Sequence, residues 1–256
     1  MKRRSSVWGI SVLLAGVLTM PLGPGEAFAL HVCTDQPDLP LPMVEMVTDF
    51  GTIQFLLCSA DVPDTVDNFL QYVNEGAYTT TGFMHRSVQE EIFIVQGGGF
   101  FVNSGTFMDA VTTRPPIALE LVGLQNLRGT IAMARTNDLD SATSQWFINV
   151  ADNPVFDSGY AVFGEITQGM DVVDAIAGQG IWSLNDSPLG ELPLVDYPED
   201  GSSHFDYLVY VTDIVELPEP AGLPEPGAAI QIGIGVLTLA GLAGRHRRRR
   251  IGYESR

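Results

Sequence analysis

The sequence predicts a mainly β protein, a closed antiparallel barrel of short strands capped by two α-helices. Short segments that alternate apolar with polar residues recur along the chain, and turn residues separate them. Only two segments place apolar residues at helical spacing, at 63–77 and 169–177. A chain of 256 residues has room for one or two domains, and we expect one globular core.

The N-terminal end has the layout of a secretory signal peptide at 1–29. Residues 2–4 are basic, residues 7–20 are apolar, and an Ala-Phe-Ala site follows at 27–29. Signal peptidase would then leave a chain that begins with a Pro-rich lead at 30–43. The apolar run of 14 residues is short for a spanning helix, and an uncleaved anchor is the alternative.

The C-terminal end has three parts. A linker with two Pro-Glu-Pro copies occupies 218–226, and 227–256 is predicted to be a transmembrane helix followed by a basic tail that stays cytoplasmic. The arrangement resembles the PEP-CTERM sorting signal of exopolysaccharide-producing Gram-negative bacteria, which implies cleavage by an exosortase-type protease. A permanent membrane anchor is the alternative. In both cases we expect an exported protein, in the periplasm, held at the membrane or sorted to the cell surface or extracellular matrix.

The predicted globular part is strongly acidic. Between residues 30 and 226 there are 29 Asp and Glu, no Lys and four Arg, a formal charge of −25. We therefore expect neither nucleic acid nor an anionic surface as a partner. The four cations of this span are Arg86, Arg114, Arg128 and Arg135.

Two cysteines lie in the same span, Cys33 in the lead and Cys58 at the end of a predicted strand. An even number in an exported protein is compatible with one disulfide, and two separate thiols are the alternative. The cysteine spacing fits no metal site, and the four histidines stand singly. We expect no metal.

In chain order, the core begins with a strand pair joined by an Asp-Phe-Gly turn. The helix at 63–77 has Pro at its start, an apolar face and a glycine at its stop. Three glycines at 97–99 indicate a tight backbone passage, because no Lys or helix follows at the spacing of a phosphate-binding loop. The predicted strands are 44–57 as a pair, 82–86, 92–96, 117–121, 130–133, 144–149 and, closing the barrel, 207–215. The predicted loops are 87–91, 103–116, 135–143 and 181–203.

The hairpin at 128–149 presents Met133, Ala134, Gln145 and Phe147 beside a polar loop. By periodicity alone it is an ordinary β-hairpin. Its sequence, RGTIAMARTNDLDSATSQWFIN, is similar to the central segment of bacterial cyclophilins, the peptidyl-prolyl cis-trans isomerases.

Two further blocks carry the same resemblance. MHR at 84–86, followed by FIVQGGGF at 93–100, resembles the family's Phe-His-Arg and Phe-Met-x-Gln-Gly-Gly, and YAVFG at 160–164 resembles His/Tyr-x-Val-Phe-Gly. The resemblance spans 44–217 and implies the cyclophilin fold, an eight-stranded antiparallel β-barrel capped by two helices. We expect a monomer.

The resemblance also implies a reaction. Rotation of an X-Pro amide faces a barrier of about 18–20 kcal/mol, because the twist abolishes amide resonance. A catalyst needs an apolar pocket for the proline ring and a donor that binds the twisted amide better than either planar form. It needs no cofactor. The implied partners are proline-containing peptides and unfolded exported proteins.

Individual roles follow from the resemblance. Arg86 is similar to the catalytic arginine, and Gln96 and Gln145 to the residues that orient it and the substrate backbone. Ala134 and Arg135 resemble the strand edge that pairs with the substrate. The implied walls and rim of the proline pocket are Phe93, Ile94, Phe147, Val155, Phe156 and Tyr160.

The sequence departs from the family in three places. Ile94 stands where Met is common. Val155 stands where eukaryotic members carry a Trp important for binding cyclosporin, so we expect weak cyclosporin binding. Nine residues separate Arg86 from Gln96, against the family's usual seven, which lengthens the predicted loop at 87–91.

Two other functions stay open. One is a cyclophilin-like module that binds Pro-containing segments at the cell envelope with little catalysis, which only the longer loop favours. The presence of Arg86, Gln96, Gln145 and Phe147 favours the enzyme. The other, a purely structural surface barrel, requires the three ordered blocks to be coincidental.

Overall fold

The computed structural model describes residues 33, 41–79, 81–103, 107–183, 189–198 and 203–218. The predicted signal peptide, most of the lead and of the linker, and the predicted C-terminal helix with its basic tail lie outside these residues. Within them, no helix is both long and apolar enough to cross a membrane.

Short strands dominate the described part of the chain, as predicted. The strands are β1 (Met43–Thr48), β2 (Gly51–Leu57), β3 (Gly82–Phe83), β4 (Arg86–Glu90), β5 (Ile92–Gly97), β6 (Phe100–Asn103), β7 (Phe107–Ala110), β8 (Thr130–Met133), β9 (Trp146–Asn149), β10 (Val162–Gln168), β11 (Gly180–Trp182), β12 (Leu192–Leu194) and β13 (Tyr210–Glu216). The helices are α1 (Pro63–Asn74) and α2 (Met170–Ala177), with short 3-10 helices at Pro154–Phe156 and His204–Tyr207.

Eleven of these strands form one antiparallel sheet in the order β4-β5-β9-β8-β10-β2-β1-β13-β3-β6-β7. The sheet curls on itself because β3 and β4 belong to one extended segment, 82–90, which pairs with β13 at one end and β5 at the other. Between them, the N–H of Met84 donates to Val209 O at 2.9 Å and that of His85 to Gln96 O at 3.0 Å. Counted as one strand, 82–90 gives eight strands around the barrel, with β6 and β7 as a hairpin beside it.

The interior of the curled sheet is apolar, and both helices close it. Trp146 and Ile148 of β9 point inward and are fully buried. From α1, Phe69 enters the same core, where its ring centroid lies 5.0 Å from that of Phe163. Ile176 of α2 is also fully buried there. Because neighbouring residues on a strand face opposite sides, the alternate residues of β5, β8 and β9 are left on the outer face.

Three loop predictions were wrong in detail. Residues 87–90 belong to β4, which pairs residue by residue with β5, and Glu91, at φ 64°, turns the chain. Apolar periodicity missed this strand because its outer half is polar and exposed. Strand β7, within 103–116, forms a hairpin with β6, and β12, within 181–203, pairs with β11, which begins at Gly180. The predicted strand at 117–121 is reduced to one bridge, between Ile117 and Ala142.

A disulfide joins Cys33 to Cys58, which directly follows β2. Both residues are buried in the main core. The bond fastens Cys33 to the end of the barrel where α1 begins. Since it closes a loop of 25 residues, it also restricts the unfolded chain.

Candidate active site

One row of residues crosses the outer face of five adjacent strands. Arg86 of β4 pairs with Gln96 of β5, and Gln96 pairs with Phe147 of β9. Phe147 pairs with Ala132 of β8, which pairs with Val162 of β10. The sheet register therefore places a guanidinium, an amide and an aromatic ring side by side on one surface.

The polar end of this row is a chain of hydrogen bonds. Gln96 Nε2 donates to Gln145 Oε1 at 2.8 Å, and Arg86 Nη1 donates to Gln96 Oε1 at 3.4 Å. Arg86 Nε donates to Glu191 Oε2 at 2.6 Å. The Arg86 side chain remains 34% exposed, so the guanidinium is held from two sides and still open to a ligand.

The apolar end is an aromatic cluster. The ring centroid of Phe147 lies 5.3 Å from that of Phe156 and 5.7 Å from that of Tyr160, both edge to face. Ile94, only 2% exposed, packs in the same cluster. The remaining buried members are Val88, Ala132 and Val162. This cluster is separate from the barrel interior and forms an apolar floor beside Arg86.

Arg135 fastens the segment that carries two of these rings. Its Nε donates to Gly159 O at 2.5 Å, and its guanidinium lies 4.4 Å from the centroid of the Tyr160 ring. A Cβ at Gly159 would lie 2.6 Å from Arg135 Nη2, so a larger residue there would displace the end of the Arg135 side chain. The side chain of Arg135 therefore positions Tyr160. Ala134 lies beside it, half-buried, with its N–H bonded to Gln145 O at 2.9 Å.

Most of the predicted site residues meet here, but Phe93 does not. It alternates with Ile94 and Gln96 along β5, so its side chain leaves on the other face, where it is 41% exposed. The side chain of Asn153 accepts a hydrogen bond from the backbone N–H of Phe93 and donates one to the backbone carbonyl of Phe93. The prediction of Phe93 as a pocket wall is therefore corrected. Val155, in the 3-10 helix at the rim, is 69% exposed.

Behind the row, the glycines at 97–99 let backbone and side chains pack closely. A Cβ at Gly98 would lie 2.5 Å from Ser144 O, and one at Gly99 would lie 2.9 Å from the Gln145 side chain and 3.0 Å from His85 Cε1. The tight passage predicted from the sequence is present. Gly99 lies close to both the His85 ring and the side chain of Gln145, the last member of the chain of hydrogen bonds.

His85 is buried, and burial lowers its pKa from 6.5 to about 4; a hydrogen bond with Gln145 opposes this shift, and the nearby charge of Arg86 adds to it. The imidazole is therefore neutral at pH 7. Its Nδ1 has no hydrogen-bond partner among the described residues. His85 lies in one of the sequence blocks that resemble the family, but the sequence predicted no role for it.

This burial predicts an acid-sensitive fold. The folded state resists protonating His85, whereas the unfolded state takes up the proton near pH 6.5, so stability is full above that pH and falls as the pH approaches 4. The expected loss is about 3 kcal/mol. Urea unfolding of wild type and His85→Gln at pH 7.5 and pH 4 measures it, and the variant should lose about 3 kcal/mol less over that range. Equal losses in the two proteins would contradict the buried neutral imidazole.

A cavity of about 240 Å³ adjoins the polar end of the row. Gln96, Gln145 and Ala134 form one wall, and Thr136, Ser141 and Thr143 of the polar loop form the other. An extended peptide could therefore lie over the aromatic floor and continue into a second hollow. The described residues contain no group of His, Cys, Asp and Glu that could hold a metal ion.

The arrangement thus combines a fixed cationic donor, two amides and an apolar floor on the outside of a closed antiparallel barrel. Residues 43–196 match the family model described as cyclophilin type peptidyl-prolyl cis-trans isomerase/CLD. The chain therefore belongs to the cyclophilin family.

Individual relatives agree with this assignment. The chain is 48% identical over 140 residues to a peptidyl-prolyl cis-trans isomerase A of Dickeya dadantii, covering 52% of this chain and 70% of that protein. It is 49% identical over 141 residues to a peptidyl-prolyl cis-trans isomerase of Acinetobacter baylyi, covering 53% and 71%. In fold, it is similar to the crystal structure of a cyclophilin type peptidyl-prolyl cis-trans isomerase of Cryptosporidium parvum, with a TM-score of 0.52, 21% identity, and coverage of 70% and 99%.

Proposed function

We propose that this protein is a peptidyl-prolyl cis-trans isomerase. The observation that carries the proposal is the guanidinium of Arg86, held over the polar edge of an aromatic floor by Gln96 and Glu191. The relatives that share about half of their aligned residues with this chain bear that name.

In this proposal the proline ring lies on the floor formed by Ile94, Phe147, Phe156 and Tyr160. Rotation about the amide bond makes the proline nitrogen pyramidal and gives it a lone pair. A guanidinium N–H from Arg86 can donate to that lone pair only in the twisted state, so the donor lowers the barrier rather than strengthening ground-state binding. Water is displaced from the floor, which strengthens this hydrogen bond.

The substrate residues that flank the proline must also be bound by the protein. Gln145 is fixed by its hydrogen bond from Gln96, so its amide presents a defined face to the substrate backbone. Ala134 and the cavity beyond it would take the residues on one side of the proline. When the peptide backbone on one side of the amide bond is held, only the other side has to rotate. Orientation of the substrate contributes to the rate in this way.

We also propose that the protein works outside the cytoplasm, as a monomer, on unfolded exported proteins. The Cys33–Cys58 disulfide supports this location, because such bonds persist in oxidising compartments. The signal-peptide layout, the PEP-CTERM-like tail and the expected processing by signal peptidase and an exosortase-type protease support it from the sequence. The strongly acidic domain is suited to keep a folding helper soluble.

The test is NMR exchange spectroscopy of an Ala-Pro peptide with the purified chain. Without catalyst, exchange takes tens to hundreds of seconds at 25 °C, and we expect a substoichiometric amount of protein to bring it into the range of seconds or faster. Unchanged exchange by a folded protein would refute the isomerase. If the peptide resonances also shifted on binding, the catalytically weak binding module would take its place.

A further inference from the structure

We propose that Glu191 is a positioning residue for Arg86, holding the guanidinium in the orientation that donates to the twisted amide. The inference rests on the proposed isomerase function. Glu191 belongs to the segment 181–203, which sequence patterns predicted as a loop insertion and gave no part in the site.

Glu191 is attached to β4 at two points. Its carboxylate Oε2 accepts a hydrogen bond from Arg86 Nε at 2.6 Å, and its backbone carbonyl accepts one from the N–H of Ser87 at 2.7 Å. The two attachments are on adjacent residues of the same strand. Glu191 is therefore in register with β4, unlike a long surface side chain that meets an arginine by chance.

The position of Glu191 is fixed from the other side as well. It directly precedes β12, whose residues Leu192 and Leu194 are buried in a second apolar core. β12 pairs with β11, and Leu194 forms a bridge with Leu208. The packing of β11 and β12 therefore places the Glu191 carboxylate beside the Arg86 guanidinium.

This attachment selects which nitrogen of Arg86 is free. Nε is taken by Glu191 and Nη1 by Gln96, and among the described residues no group accepts from Nη2. Because the guanidinium is planar, two fixed nitrogens define the direction of the third. The two N–H groups of Nη2 and the second N–H of Nη1 are then the donors left for the substrate.

The carboxylate has two opposing effects on catalysis. It offsets part of the positive charge of Arg86, which weakens the donor, and it fixes the donor's direction, which strengthens catalysis. Both side chains are about a third or more exposed, at 34% and 42%, so solvent screens the charge effect. The directional effect is not screened, since it depends on geometry. The directional effect therefore dominates.

The test compares Glu191→Ala and Glu191→Gln with wild type in two measurements. The first is the isomerase rate, separated into kcat and KM. The second is the 15N–1H resonance of Arg86 Nε in the free protein, which is slow to exchange when the nitrogen is bonded to an ordered acceptor. Glu75→Ala, which removes the partner of Arg114 in an exposed ion pair that includes no site residue, is the matched control.

We expect Glu191→Ala to lower kcat about tenfold with little change in KM, and to broaden the Arg86 Nε resonance. Glu191→Gln should retain most of both, because its amide oxygen can still accept from Nε. The control should change neither. Unchanged or increased kcat in Glu191→Ala would overturn the inference, and an increase would mean that Glu191 restrains Arg86 from the substrate.

The two proposals fail in different ways. If wild type does not accelerate exchange, the isomerase fails, and the Arg86 resonance alone decides whether Glu191 orders the guanidinium. If wild type is active and the resonance survives in Glu191→Ala, the isomerase stands and the positioning role is wrong. Should Glu191→Ala not fold, Glu191→Gln decides in its place: a kcat lowered about tenfold while the Arg86 Nε resonance is retained would show that the charge of Glu191, and not the direction it gives to Arg86, supports the reaction, and would overturn the inference.

Discussion

Replacement of Arg86 by alanine is expected to lower kcat/KM about 100- to 1,000-fold, the usual effect of removing one preorganised donor from a transition state. The loss should fall on kcat, because the proline ring still has its aromatic floor. The free energy of unfolding should change by less than about 1 kcal/mol, since Arg86 and Glu191 are a partly exposed pair. Peptide exchange by NMR and urea unfolding measure the two quantities.

Arg114→Ala is the matched control, since it also removes one of the few cations of the domain. Arg114 pairs with Glu75 and with none of the site residues, so isomerisation should be unaffected. Arg86→Lys discriminates charge from geometry: a lysine keeps the charge but lacks the planar fork and should recover little activity. Wild-type rates in Arg86→Ala would show that the aromatic floor alone catalyses the reaction.

Gly98→Ala is expected to reduce the free energy of unfolding by about 2–4 kcal/mol, from backbone strain and overpacking together. The residue has φ 76°, and an added Cβ would lie 2.5 Å from Ser144 O and 2.8 Å from Trp146 Nε1. Neither neighbour can move freely, because Ser144 precedes β9 and Trp146 is fully buried. Thermal or urea unfolding provides the measurement.

Gly123→Ala separates the two causes. Gly123 has a similar backbone, at φ 92°, but an added Cβ would meet nothing within 4 Å. It should lose only the strain, about 1 kcal/mol. If Gly98→Ala and Gly123→Ala lost the same amount, the close packing behind Gln145 would not be a source of instability, and the tight passage would have no energetic basis.

Much of the site could be predicted because three sequence blocks resemble the cyclophilin family. Strand alternation agrees with that resemblance, since it places Ile94 and Gln96 on one face of β5, beside Phe147 of β9. Strand alternation places Phe93 on the opposite face of β5 from Ile94 and Gln96, whereas the resemblance to the family had assigned it to the pocket. Strand β4 was not predicted, because its outer residues are polar. It forms a strand because it pairs with β5, and its own composition gives no sign of this.

Glu191 could not be found from the sequence at all. It is one of 29 acidic residues between positions 30 and 226, and no motif surrounds it. Its place beside Arg86, 105 residues away in the chain, depends on the packing of β11 and β12. Long-range side-chain pairs of this kind have no local pattern, whereas the faces of single strands do.

The way the sheet closes sets the order in which the protein can fold. Strand β13, at 210–216, lies between β1 and the segment 82–90, so the last strand of the domain closes the barrel between its first strand and its middle segment. A chain synthesised from its N-terminus has no complete barrel until residue 216 is available, and the open edges of β1 and β3 would until then invite pairing with other chains. The pairings of β13 with β1 and with β3 therefore form late and join residues that are far apart in the chain, as expected for a slowly folding domain. A peptidyl-prolyl isomerase of this fold would itself finish folding only after nearly its whole domain has been synthesised.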